Sequence, residues 1–183
     1  QAGGDTPFKK ALALYFFQRV SYLGIPAVSI WMVLITAFIY WTIKYYRESI
    51  YFLSTLLAPV FYIIIKDIIH RPRPTNNYAQ IIDQQLSPSF PSGHVMFYTV
   101  FFGLLFATMF YTKKIPKLMR IIVVILSIVL IMSVSVSRIY LGAHWVTDAV
   151  GGYLFGFIFL SIILYFYLKK LTIDRDTSPH TKE

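Results

Sequence analysis

Five long apolar runs, each broken off by a charged or turn-forming stretch, decide most of what this chain can become. They cover residues 25–43, 50–65, 95–112, 121–136 and about 145–168. A bilayer-crossing helix needs about 20 mainly apolar residues, and each run approaches that once its flanks are counted. No water satisfies peptide groups inside the hydrocarbon, so segments of this kind must be helices rather than strands. Composition agrees: 57% hydrophobic and 18% aromatic residues, with a mean hydropathy of +0.62, lie far from a soluble domain. The expected fold is all-α, a polytopic transmembrane helical bundle with five spans present. One membrane domain is expected over residues 25–170, between an N-terminal interfacial segment at 1–24 and a polar cytoplasmic tail at 171–183.

The N-terminal segment offers Thr6 and Pro7 as a helix start and Gly24 as a stop. Lys9, Lys10 and Arg19 among aromatic residues suggest a helix lying on the membrane surface. A loose leader, or the tail of a further span, explains the same residues equally well. The chain begins with Gln1 rather than Met, which points to a segment upstream. There is no cysteine, so neither disulfides nor a thiolate site can operate. The net charge of +9 is dispersed among the apolar runs, so nucleic acid is not an expected partner.

Charge also orients the bundle. Lys44, Arg47, Lys113, Lys114, Lys117, Arg120, Lys169 and Lys170 fall on one side, which the positive-inside rule makes cytoplasmic. Three chemically loaded stretches, 66–73, 92–94 and 138–148, fall on the other, each at a helix end. They offer Lys66, Arg73 and Arg138 as cations, Ser92 and the Gly93 amide as donors, His94 and His144, and one carboxylate, Asp148. If a helix starts near His144, the i, i+4 spacing stacks His144 on Asp148, and the carboxylate fixes the tautomer of an imidazole whose other nitrogen stays reactive. Guanidinium groups, an ammonium and a helix N-terminus together suit a phosphoryl group. Two histidines can divide attack from proton transfer. Asp67 and Asp83 are the only further acids near this face, so no metal is expected.

Each cluster alone has an ordinary explanation. Cations at membrane boundaries anchor topology, His144 with Asp148 could be a polar pair between helices, Ser92 and Gly93 could only start one, and His70 and Arg71 read as interfacial residues. Their coincidence at one face is what favours a site. The connection over residues 75–89 is expected to form a mobile rim.

Lys66 with Arg73 and Pro74, then Pro91, Ser92, Gly93 and His94, then Ser137 and Arg138 with His144 and Asp148 resemble, in order and spacing, the signatures of the type 2 phosphatidic acid phosphatase superfamily. That family shares its site with vanadium haloperoxidases and bacterial acid phosphatases. The resemblance implies that His144 is the nucleophile of a phosphohistidine, oriented by Asp148, and that His94 protonates the leaving group and later activates water. It implies that Lys66, Arg73, Ser92, Gly93 and Arg138 bind the phosphoryl oxygens, without metal or other cofactor. Integral members have six spans, so a further N-terminal span is expected. The implied substrate is a lipid phosphate reached from the bilayer: undecaprenyl diphosphate, slightly favoured because an outward site suits recycling of that carrier, phosphatidylglycerol phosphate or phosphatidic acid. A transporter that binds lipid phosphate or another anion without cleavage, and a phosphotransferase to an acceptor other than water, are the competing readings.

Overall fold

A computed structural model describes residues 7–75 and 87–176, with the side chains of 171 and 173–176 excepted. Thr6 and Asp83 lie outside the described residues, as does most of the presumed rim. Among the described residues all regular structure is helical. Helix α1 spans Pro7–Tyr22 and α2 spans Pro26–Thr42. The two meet at a bend of 58°, made by the turn that holds Gly24. Helix α3, Tyr46–Ser54, passes through a short 3₁₀ turn, Thr55–Leu57, into α4, Ala58–Ile69. Proline lacks a backbone N–H and is tolerated in a first helical turn. The chain therefore restarts just ahead of Pro59 rather than kinking at it. Helices α5, Gly93–Thr108, α6, Lys117–Tyr140, and α7, Val146–Asp176, complete the bundle.

Three stretches are long and apolar enough to cross a membrane singly: Tyr46–Ile69, Lys117–Tyr140 and Val146–Lys170. The bent pair α1 and α2 passes the same test together, and α5 is a shorter apolar helix. The five apolar runs thus survive as α2, α3 with α4, α5, α6 and α7, but two of them are shorter than a standard span. Helix α7 also continues to Asp176, past the expected start of the tail at 171.

Helix α5 is the centre. Val95, Met96, Tyr98, Val100 and Leu104 are fully buried, so it is apolar all round rather than on one stripe. Lipid tails are as apolar as leucine, so helices associate in a bilayer through close packing and small residues. The α5–α7 seam shows this. A methyl on Gly152 would stand 2.8 Å from the Ser92 carbonyl, and one on Gly156 2.8 Å from Thr99 Cβ. Ile121, Ile125, Ile128, Met132 and Val136 of α6 face outward, towards lipid.

The end of the bundle away from the three clusters is tied by polar groups. Glu48 is buried and accepts from Tyr167 Oη at 2.9 Å and from Arg47 Nη2 at 2.8 Å. Tyr40 and Thr108 share a hydrogen bond of 2.9 Å between their hydroxyls.

Candidate active site

All three sequence clusters meet at one end of the bundle. Helix α4 stops at His70, which takes a left-handed conformation, φ 49°, and donates its N–H to the Lys66 carbonyl. That stop releases the extended stretch of Arg71, Pro72, Arg73 and Pro74, as prolines require. Residues 87–89 are pinned to this stretch: Ser89 donates its N–H to the Arg71 carbonyl at 2.8 Å and its hydroxyl to the Pro72 carbonyl at 3.0 Å. This described end of the presumed mobile rim is therefore fastened down.

Lys66 and Arg73 of the first cluster are aimed by main-chain oxygens. Lys66 Nζ donates to the Pro88 carbonyl. Arg73 donates from Nε to the Ser87 carbonyl and from Nη1 to the Ala143 carbonyl, each at 2.8 Å. Arg73 therefore joins the first cluster to the third.

Ser92 caps α5. Its Oγ is 3.5 Å from the Val95 N–H, and its own N–H donates to the Asp148 carbonyl at 3.0 Å. The side chain is fully buried and does not line the cavity described below, so its hydroxyl serves the helix start. Gly93 and His94 do face that cavity. The Tyr62 ring packs over Gly93, where a methyl would stand 3.1 Å from it.

Gly142, with φ 67°, turns the chain out of α6, a conformation that favours glycine. His144 follows, and α7 begins at Val146 rather than at His144. Asp148 is thus the third residue of the helix and reaches back to accept the Trp145 N–H at Oδ2, 2.8 Å away, as an acidic residue in a capping box does. His144 Nδ1 stands 3.5 Å from the same oxygen. The expected pair forms, at an ion-pair distance longer than a hydrogen bond. With Nδ1 turned to the carboxylate, Nε2 is the nitrogen left for a substrate. Burial pushes the His144 imidazole down to about 4 against the raising effect of Asp148, and Arg138, Arg73 and Lys66 push the same way. The ring is neutral at pH 7, with the lone pair that nucleophilic attack needs.

Arg138 is 2% exposed and donates from Nη1 to Ser21 Oγ. It stands behind the cavity wall rather than on it, a charge near both imidazoles. The N-terminal segment supplies more of this support. The Phe17 carbonyl accepts from Ser137 Oγ at 2.7 Å, and the Val20 carbonyl accepts from Tyr98 Oη. Gly24 lies against the His94 ring so closely that a methyl there would stand 2.2 Å from Cδ2. Sequence reasoning missed Ser21, Gly24 and Tyr62, which carry no motif. It set Arg71 aside, yet Arg71 Nη1 donates to Asp148 Oδ1 at 2.8 Å.

One cavity of about 710 Å³ gathers Lys66, Arg73, Gly93, His94 and His144 at one end. Pro26, Ser29 and Ile30 of α2, Pro59, Tyr62 and Ile63 of α4, and Phe97 of α5 also line it, and Gly24, Asp67, Ser87 and Pro88 complete its wall.

Known proteins resemble this chain in sequence and in fold. The family model of the PAP2 superfamily matches residues 47–171. The chain is 34% identical over 110 residues to phosphatidylglycerophosphatase B of Bacillus subtilis, covering 58% of this chain and 48% of that protein. It thus spans about half the length of that curated relative. Among solved structures, a transmembrane PAP2-type phosphatidylglycerolphosphate phosphatase from Bacillus subtilis superposes with a TM-score of 0.74 at 22% identity, over 97% of this chain and 82% of that one. LpxE of Aquifex aeolicus superposes with a TM-score of 0.64 at 24% identity, over 88% of each chain. These two likenesses show a shared helical membrane fold. With more than half of its length matched and its three signature stretches drawn together around one cavity, the chain belongs to the PAP2 superfamily.

Proposed function

We propose that this protein is a membrane lipid phosphatase working through a phosphohistidine on His144. The observation that carries the reading is the two-sided cavity: imidazoles and cations at one end, and Ile30, Pro59, Ile63 and Phe97 beside them. A water-soluble phosphate ester would need only the polar end, whereas a lipid fills both.

Lys66, Arg73 and the N–H groups at the start of α5 hold the non-bridging oxygens, with Arg138 adding positive potential from behind. His94 enters the step as an imidazolium, charged by the bound phosphate anion; His144 Nε2 attacks phosphorus as the bond to the leaving oxygen breaks, and that oxygen takes the proton from His94. Asp148 holds the proton on Nδ1 as the ring becomes cationic. His94 then removes a proton from water, the resulting oxygen bonds to phosphorus, and the P–N bond breaks to release phosphate and free His144. The side chains supply the positive charge that a metal would otherwise bring, so the reaction is metal-independent.

The names of the curated relative and of the Bacillus subtilis structure favour phosphatidylglycerol phosphate among the three lipids, ahead of undecaprenyl diphosphate. Positive charge at the far end supports a site on the outer face of the cell membrane and a cytoplasmic C-terminus, with residues 25–170 as the phosphatase domain and five spans joined by the N-terminal helix.

Purified protein in detergent with EDTA should release phosphate from phosphatidylglycerol phosphate faster than from undecaprenyl diphosphate, phosphatidic acid or a soluble aryl phosphate. His144→Ala should lower the rate by about a thousandfold or more. Full activity in that variant sinks the phosphohistidine, and equal rates on soluble and lipid esters sink the lipid reading. Tight binding of these lipids without turnover would instead identify a transporter.

A further inference from the structure

Asp148 is fully buried, and each of its carboxylate oxygens is occupied. Oδ2 takes the Trp145 N–H at 2.8 Å and faces His144. Oδ1 takes Arg71 Nη1, also at 2.8 Å. The same nitrogen donates to Thr147 Oγ1, and the guanidinium lies 5.8 Å from the centre of the Trp145 ring. The Trp145 indole N–H is in turn held by the Pro72 carbonyl, next to Arg71, at 3.0 Å. A buried carboxylate bonded through one oxygen only can rotate about its own axis. With a charged donor on the second oxygen it cannot, and such bonds are about twice as strong as neutral ones.

Arg71 itself does not line the cavity. Its side chain is 34% exposed and approaches Asp148 from the outer surface, whereas the other described site cations are directed elsewhere: Lys66 and Arg73 to carbonyls, Arg138 to Ser21.

We infer that Arg71 is a positioning residue of the proposed reaction, which locks the Asp148 carboxylate so that Oδ2 stays turned to His144 Nδ1 and Nε2 stays aimed at phosphorus. This rests on the phosphatase reading of the site. Arg71 and Asp148 come from opposite halves of the matched region, so the pair also ties the α4 exit to the start of α7.

The test is a double-mutant cycle in the full chain, using Arg71→Ala, Arg71→Lys, Asp148→Asn and the Arg71→Ala/Asp148→Asn pair. Arg71→Ala should lower kcat about 10- to 100-fold with KM changed by less than about twofold, as expected when a reacting group is misplaced. Arg71→Lys should recover part of the loss. In the Asp148→Asn background the same alanine substitution should cost almost nothing further. An equal loss in both backgrounds, or a loss confined to KM, would show that Arg71 touches the substrate directly and overturn the inference. Unchanged kcat with a lowered unfolding temperature would overturn it too, by leaving Arg71 a purely structural role.

A second readout needs no turnover. Orthovanadate, which takes a bond from a histidine nitrogen, should bind the Arg71→Ala variant about tenfold more weakly than the wild type, with the difference gone in the Asp148→Asn background. Wild-type protein inert towards every lipid phosphate would defeat the phosphatase reading, while the vanadate measurement would still decide whether Arg71 acts through Asp148.

Discussion

Burying an imidazole among Arg138, Arg73 and Lys66 keeps His144 uncharged far below neutral pH, and that has a consequence for stability. The free side chain titrates at 6.5 and the folded one at about 4. Between those values the unfolded chain takes up a proton that the folded chain refuses, so stability falls as pH drops through this window. The full loss is about 3 kcal/mol by pH 4, at 1.36 kcal/mol for each tenfold change in proton affinity. Thermal unfolding in detergent, followed from pH 7 to pH 4, should therefore slope less steeply for His144→Gln than for the wild type. Equal slopes would mean that the wild-type ring titrates normally. At this scale the sequence was legible in placement: its spacing brought Lys66, Arg73, His94 and His144 to one end of the bundle, where all four line a single cavity. Arg71 was not legible, because an arginine beside a membrane boundary looks the same whether it faces water or a buried carboxylate. Ser92 and Arg138 lie behind the cavity wall rather than on it, a distinction that spacing along a chain does not carry.

The junction of α1 and α2 is the element that sequence patterning described least well. Lys10 and Arg19 spoil any clean amphipathic face, so a surface helix and a loose leader looked equally good. In the structure α1 packs on α6, and its last two turns supply partners to Ser137, Arg138 and Tyr98. The matched family region begins only at residue 47, so part of the site's support comes from outside it. Gly24→Ala tests this. The added methyl would collide with the His94 ring at 2.2 Å, and the ring can escape only by rotating out of place. Phosphate release should fall at least tenfold while the unfolding temperature changes by no more than a few degrees, because no buried side chain is lost. Retained activity would show that His94 has room to spare. The start of α5, by contrast, could be read directly, since a serine before glycine at the head of an apolar run caps a helix.

At the scale of the whole molecule, the bundle has two differently built ends. One gathers cations and imidazoles around a cavity, and the other closes on the buried carboxylate of Glu48 with Tyr167 and Arg47. Orientation can be read with single cysteines, because these 183 residues contain none. In intact cells a membrane-impermeant maleimide should label Thr75→Cys and leave Lys113→Cys untouched until the membrane is broken. The reverse pattern would turn the site to the cytoplasm. Hydropathy located the helices well, but it could not show that α5 is short because neighbours rather than lipid surround it, nor where Pro59 would break the chain. Helix α7 carries one more lesson. Gly152, a single turn beyond Asp148, does not line the cavity, yet a lone methyl there would push on the peptide that joins Ser92 to the next residue. The spacing between the two halves of the candidate site is therefore gauged by a missing side chain. Random substitution should find that position as intolerant as the histidines themselves.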